Sequence, residues 1–428
     1  MHPRHTPATG WRAILHPAIL PAYATSAARA LRRSWLGPRR FPSDAAQICR
    51  AVIEACWDGH RLAASAGHFR QFWIRDLGMS AGALVQLGQR DRVEASLAWA
   101  LETWAPRGHV TTTIFAGRRP ADVYAYGVDS LPWLFHALRA CGAETLLARH
   151  AGWLAAETEH YVREVVDPRS NLVRDDRRFS MHRDTVRLGS NCYANTMLAL
   201  LSRTLGETDW LPDPVPAGSA GRLVDAFWRG DHFSDVAGKD EPTGDASVWP
   251  FFAGVVPPEL GRGAALRWLA AEGYASPLPL RYTLRREPAL EDPIQRLFVP
   301  DYQGTAIWTS LGAIYLAMLD ADDPDAATPG IEAYRRLIER DGTFWEVLVA
   351  APGVPRSDAA SGRRSAAQPS TGHAAGPAPL DDVRPYRGRL GLFHADEAML
   401  WSAVFLRLLE QRAAREALPV AVTAPPAG

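Results

Sequence analysis

Phe72-Trp73-Ile74-Arg75-Asp76-Leu77-Gly78-Met79-Ser80 joins one helical segment to the next and sets two aromatics, an arginine and a carboxylate at the junction. Asp76 can serve as N-cap or first-turn anion for the helix that follows, whose apolar run is Ala81, Ala83, Leu84, Val85 and Leu87. Trp73 and Arg75 then have reason to face a cleft. The plainer alternative is a capped helix start with an ordinary Arg-Asp pair.

Working outward, the hydrophobic period from about Asp44 onward is helical, not alternating. It predicts helices near 44–58, 76–88, 90–105, 129–141, 144–165, 191–205, 219–228, 246–254, 260–271, 304–319, 329–339 and 396–413. Strand signals are confined to short pieces, Val110–Ile114 and Phe344–Val349. About a dozen helices suit an all-α (α/α)6 toroid of six helical hairpins. No strict repeat is visible, so the rhythm of helices carries this expectation.

Polar and aromatic clusters recur at alternate helix junctions. After Trp73–Asp76 come Asp122–Asp129, His182-Arg183-Asp184, Gly244–Pro250, Asp301-Tyr302-Gln303-Gly304, Phe344-Trp345-Glu346 and His394-Ala395-Asp396-Glu397. In a toroid of hairpins, alternate junctions share one end, so these clusters should line a single funnel.

The chain divides into an N-terminal extension (1–43), the helical domain (44–413) and a tail (414–428). The extension is Arg- and Ala-rich, with Pro17 and Pro21 breaking its apolar stretch, which fits a signal h-region poorly. It reads as poorly ordered or loosely docked, with a targeting segment as the alternative. Residues 351–385 are rich in Ala, Pro, Ser and Gly and read as a flexible insertion, and the tail reads as disordered.

Composition narrows the function classes. The 428 residues carry no formal net charge, which gives no reason to expect a nucleic-acid or anionic-membrane partner. No window is apolar for 18 residues, so no transmembrane helix is expected. The basic charge is arginine except for Lys239. Cys49, Cys56, Cys141 and Cys192 lack zinc or CxxC spacing and read as reduced, buried thiols of a cytoplasmic protein. No helix shows a sustained heptad seam, so the oligomeric state is not legible. Fifteen tryptophans are the informative excess, because flat aromatic faces in a cleft suit the apolar face of a sugar ring.

On these motifs the chain resembles the six-hairpin glycosidases, the superfamily of glucoamylase-like, debranching-type and processing α-glucosidase enzymes. Trp73-Ile74-Arg75-Asp76 is similar to their "Trp-x-Arg-Asp", where the Arg-Asp pair binds the terminal sugar. Tyr302–Trp308 is similar to their "Tyr-x-Gly-x-x-Trp", which opens an inner helix. Phe344-Trp345-Glu346, followed by Gly391-Leu392-Phe393 and Trp401-Ser402-Ala403, resembles the end of the processing-glucosidase branch, whose glutamate is the catalytic base. The resemblance spans roughly 45–412, with two departures: the insertion at 351–385 and the lack of a glucoamylase-type "Glu-Glu" acid motif.

The resemblance implies a glycoside hydrolase, α-glucosidase-like, acting with inversion on the non-reducing-end sugar of a small oligosaccharide or glycoside. Inversion needs two carboxyl groups about 6.5–9.5 Å apart, one protonated toward the leaving oxygen and one activating water. Glu346, at a strand-like break beside aromatics, is expected as base, and Asp184, in the loop before the helix beginning at Asn191, as acid. Asp175 and Asp176 rival Asp184 in the same loop. Asp245 is a further candidate, since Asp245–Pro250 resembles the debranching "Asp-Ala-Ser-Leu-Trp", whose aspartate is catalytic.

Substrate binding is expected from Trp73, Arg75, Asp76, Asp129, His182, Tyr302, Trp308 and Trp345, with Trp249 a further sugar platform. Asp129 has helix capping as its alternative role. His68, His182 and His394 share no i, i+4 spacing, so no metal is expected. Ser130 and Ser247 lack a GxSxG context, and no Walker or GxGxxG-after-strand signal calls for a nucleotide cofactor. A sugar isomerase or epimerase using His182 and His394 as proton carriers is the second reading, and a silent carbohydrate-binding protein the third.

Overall fold

Two kinds of helix alternate along the chain. The first is buried almost all round: Thr309–Asp322 hides Leu311, Gly312, Ala313, Ile314, Tyr315 and Leu316 in succession. The second buries one stripe, as Pro324–Asp341 does with Ala327, Ile331, Tyr334 and Ile338 at helical spacing. An all-round apolar helix must be enclosed by neighbours, while a striped one can cover it from outside.

In the computed structural model, which describes residues 20–350 and 380–417, the two kinds form two rings. The inner ring runs Ile74–Gln86, Ser130–Cys141, Cys192–Thr208, Trp249–Phe252, Thr309–Asp322 and Ser402–Glu416. The first four pack in sequence, the last packs on both Thr309–Asp322 and Ile74–Gln86, and the ring closes. Ala45–Cys56, Arg90–Trp104, Glu144–Val165, Ser219–Phe227, Arg262–Glu272 and Pro324–Asp341 form the outer ring. This is the (α/α)6 toroid. The short fourth inner helix leaves a gap beside Thr309–Asp322, spanned by extended chain in which Trp308 N–H donates to Leu280 O at 2.8 Å.

Two small antiparallel sheets deliver side chains to the rim. In one, Phe72–Trp73 pairs with Thr113–Phe115, which pairs with Arg119–Ala121. In the other, Ile307–Trp308 pairs with Val347–Ala350, which pairs with Val383–Pro385. Each first strand runs straight into an inner helix, with Trp73 and Trp308 as the two N-caps. Asp76 therefore lies in the first turn of its helix, and the N-cap is Trp73.

Several boundaries depart from the periodicity. The helix expected from 304 begins at Thr309, because Ile307–Trp308 is taken into the sheet. The helix expected from 396 begins at Ser402, because Asp396–Trp401 is a loop with Ala398 at φ 55°. Two helices were not foreseen, Leu20–Leu36 and Pro293–Phe298. The former belongs to the N-terminal extension, and its Arg33 is buried against the domain through Asp396 and Glu397. Residues 351–379 of the expected insertion lie outside the described residues, whereas 380–385 form a turn and an edge strand. Of the expected tail, 414–416 complete the last helix and 418–428 lie outside the described residues. The four cysteines are buried and free. Among the described residues no helix is long and apolar enough to cross a membrane.

Candidate active site

A cavity of about 460 Å³ opens at the sheet-bearing end of the toroid. Three carboxyl groups line it, Asp76, Asp184 and Glu346, and Arg75 is the only arginine lining it among the described residues. Arg75 and Asp76 occupy the first turn of the first inner helix, so their backbone is fixed by that helix. Arg75 Nε donates to Asp129 Oδ2 at 2.5 Å, and Tyr193 Oη donates to the same oxygen at 2.7 Å. Trp133 Nε1 in turn donates to Tyr193 Oη at 3.1 Å. Burial pushes the Asp76 carboxyl up to about 7 despite the neighbouring Arg75 charge.

Asp184 stands on the turn between Ser180 and Val186. Gln303 Nε2 donates to its Oδ1 at 3.1 Å, and Arg75 Nη1 lies 3.7 Å from its Oδ2. Gln303 is itself locked, donating to His182 O at 2.9 Å and accepting from Thr185 N–H at 2.7 Å. Burial raises the Asp184 pKa, opposed by Arg75 and the Gln303 hydrogen bond.

Glu346 precedes the central strand of the second sheet. The Asp396 N–H donates to its Oε2 at 2.9 Å, and its own N–H donates to Asp396 O at 2.8 Å. Burial, with the Asp396 charge second, pushes its carboxyl up to about 8. The Tyr302 hydroxyl faces it. A continuous aromatic series surrounds these acids: Trp249 to His182 at 5.4 Å, His182 to Tyr282 at 5.3 Å, Tyr282 to Trp308 at 5.5 Å and Trp308 to Tyr302 at 5.2 Å.

The structure brings Trp73, Arg75, Asp76, His182, Asp184, Tyr302, Trp308 and Glu346 to one cavity, with Trp249 and His394 beside them. Five of the candidate residues do not line this cavity. Asp129 neither lines the cavity nor caps its helix through its side chain; it is fully buried and holds Arg75. Trp345 does not line the cavity, because its indole donates to Asp341 at 3.0 Å and stacks on Phe393. Asp245 is sealed behind His182, accepting from its Nε2 at 2.7 Å. Burial works against the Asp245 charge, yet His182 and Arg183 hold its carboxyl below the usual range. Asp175 and Asp176 are exposed on the loop, with Asp176 paired to Arg174.

Sequence reasoning missed Gln303, Tyr282, Trp401 and Asp396 as parts of this site. Gln303, Trp401 and Asp396 sit inside quoted motifs, so their positions were available but not their partners. Asp396 is the hub. Burial opposes its charge, but His68, Arg33 and Ser65 hold its carboxyl well below the usual range. His68 N–H and Phe69 N–H donate to it at 2.9 and 2.8 Å, which wraps the 65–69 loop around the carboxylate. A Cβ on Gly67 would lie 2.0 Å from Asp396 Oδ1, so only glycine fits there.

One group among the described residues could hold a metal ion by distance, His109, Glu157 and His160. None of the three lines the cavity, and His109 is already engaged at both nitrogens, by Asp122 and Glu157 at 2.8 Å each. That geometry suits a part-buried imidazolium held between two carboxylates.

No family model and no curated protein matches the chain. Solved structures do. A glycosidase variant in complex with glucose matches with a TM-score of 0.59 at 14% identity, over 86% of this chain and 96% of the other. The wild-type form of a glycosidase matches at 0.55 and 15%, with the same coverage. A rhamnosidase from Klebsiella oxytoca with rhamnose bound matches at 0.54 and 16%, over 88% of this chain and 66% of that one. The likeness is one of fold. The three neighbours are glycosidases, one in complex with glucose and one with rhamnose bound.

Proposed function

We propose that this protein is a glycoside hydrolase that cleaves the bond of a terminal sugar with inversion, Asp184 acting as general acid and Glu346 as general base. The observation that carries this reading is the pair of carboxyls, part-buried Asp184 and buried Glu346, facing one aromatic-walled cavity from different loops. Burial raises both, so protonation alone does not separate their roles. Anchoring does. Glu346 is fixed by a backbone N–H at one oxygen, which leaves the other to orient a water molecule. Asp184 is held more loosely, by one amide and a distant arginine, and a proton on it meets the leaving oxygen. Arg75, locked by Asp129, and Asp76 supply a donor fork and an acceptor for the sugar hydroxyls.

The isomerase reading requires a histidine that exchanges protons near neutral pH. Burial, with His68 and Arg33 beside it, pushes His394 down to about 3, and burial also lowers His182. Burial moves both away from proton exchange at neutral pH, which favours the hydrolytic reading. The test is a release assay on α- and β-linked disaccharides and 4-nitrophenyl glycosides, wild type beside Glu346→Gln. Sugar release by the wild type and its loss in the variant is the expected result. No release from any member contradicts the reading.

A further inference from the structure

We propose that the substrate is an uncharged glycoside with a hydrophobic aglycone, aryl or alkyl, seated on an apolar lip of the cavity formed by Phe298, Val299, Leu390 and Leu392. This rests on the hydrolase reading above and names the part of the substrate that reading leaves open.

The cavity has two chemically different ends. At the carboxyl end, polar groups wait for partners: the indole N–H of Trp73, the indole N–H of Trp249 and Nδ1 of His182 are buried with no hydrogen-bond partner in the protein. Each such group costs about 1–3 kcal/mol unless something satisfies it. A ring bearing hydroxyls does so.

At the outer end the situation reverses. Phe298 is 49% exposed and Leu390 72% exposed, although both line the cavity. They are neighbours, since Arg389 N–H donates to Phe298 O at 3.0 Å. Leu392 is half-buried beside them. Of the polar side chains interspersed there, Gln295 donates to Tyr124 Oη at 2.6 Å and Gln71 donates to Ser26 Oγ at 2.8 Å, which leaves Gln71 Oε1 open. A hydroxyl-rich aglycone would find few free partners on this lip and would cover apolar side chains without gain. A hydrophobic aglycone removes the same surface from water, at about 25 cal/mol per Å².

Charge excludes the remaining class. Among the described residues the cavity holds three carboxyls and a single arginine, and that arginine is committed to Asp129. An aglycone carrying a carboxylate or phosphate would enter a site with no free cation to meet it.

The experiment begins with the sugar and anomer that support hydrolysis in the release panel. Four glycosides of that sugar are compared: methyl, octyl, glyceryl and glycerate. The wild type should show kcat/KM at least tenfold higher for octyl than for methyl or glyceryl, and lowest for glycerate. Phe298→Ser and Leu390→Ser should each cut the octyl-to-methyl ratio about tenfold, mainly through KM. Leu390→Ser guards against misfolding of the Phe298 variant, because its side chain is largely in solvent. A wild type that cleaves glyceryl or glycerate glycosides best, or variants that keep the ratio, overturns this inference while leaving the hydrolase reading intact. Failure to cleave any of the four, while the panel substrate is still hydrolysed, also overturns this inference; no release from any panel member overturns the hydrolase reading and this inference with it.

Discussion

Two hydrogen bonds of opposite direction join Glu346 and Asp396: Asp396 N–H donates to Glu346 Oε2 at 2.9 Å, and Glu346 N–H donates to Asp396 O at 2.8 Å. The orientation of the proposed base is thus set by a loop whose own position depends on Arg33, 363 residues away in the chain. Arg33 bonds Asp396 and Glu397 at 5% exposure, which ties the N-terminal helix to the loop that holds Glu346.

Arg33→Met should therefore slow the reaction without touching substrate. Displacement of a reacting group by about 1 Å can cost on the order of 100-fold, so kcat should fall between tenfold and 100-fold, with a smaller change in KM. Removing one partner of a buried ion pair also destabilises the fold, so the melting temperature should drop. Steady-state kinetics and a thermal melt on the same sample check both. An unchanged kcat would show that the helix merely covers the domain.

His109 offers a structural control away from the cavity. Burial works against its charge, but the hydrogen bonds to Asp122 and Glu157 push its pKa up to about 10. His109→Leu leaves two buried carboxylates without a counter-charge and should destabilise the protein by about 3–5 kcal/mol. Denaturant unfolding measures this. If a metal ion were the true occupant, chelation of the wild type would produce a loss of stability, and none is expected.

Stability should also depend on pH in a direction fixed by the raised carboxyls. Glu346 is pushed up to about 8 and Asp76 to about 7 by burial, while Glu397 is pushed to about 7 by burial and the Asp396 charge. Between their unfolded values near 4 and these folded values, the native state binds more protons than the unfolded chain. Stability then falls as pH rises through that window. His182 and His394, lowered by burial, act oppositely below about pH 6.5, where the unfolded chain takes up protons that the native state refuses. Three raised carboxyls outweigh two lowered imidazoles, so the melting temperature of the free protein should fall from pH 6 toward pH 9. Glu346→Gln should flatten the fall, because the amide has nothing to ionise. A melting temperature that climbs from pH 6 to 9 would contradict this account.

The ring architecture was legible because it is written locally. Glu144–Val165 begins and ends where the periodicity places it, since its buried positions repeat at helical spacing over the whole length. The carboxyls on the cavity were also readable, as acids embedded among aromatics at helix junctions. What the sequence hid are pairings between distant residues. Nothing near Asp129 says that Tyr193 and Arg75 converge on it, so it read as a sugar ligand or a helix cap. Nothing near Asp245 says that His182 seals it from the cavity. Trp345 looked like its neighbour Glu346 in the motif, yet alternation along an extended chain turns consecutive side chains to opposite sides. Arg33 sits in an Arg-rich stretch where no single arginine stands out.

The most direct test of the paired-carboxyl claim is to give Asp184→Asn and Glu346→Gln a glycosyl fluoride and an alkyl glycoside of the same sugar. Fluoride departs without a proton, so it needs the base but not the acid. Asp184→Asn should hydrolyse the fluoride at close to the wild-type rate while losing about 10²–10⁴-fold on the alkyl glycoside. Glu346→Gln should lose a comparable factor on both. Glu346→Gln with full activity on either substrate, or the two variants failing equally on the fluoride, would contradict the assignment of acid and base made here.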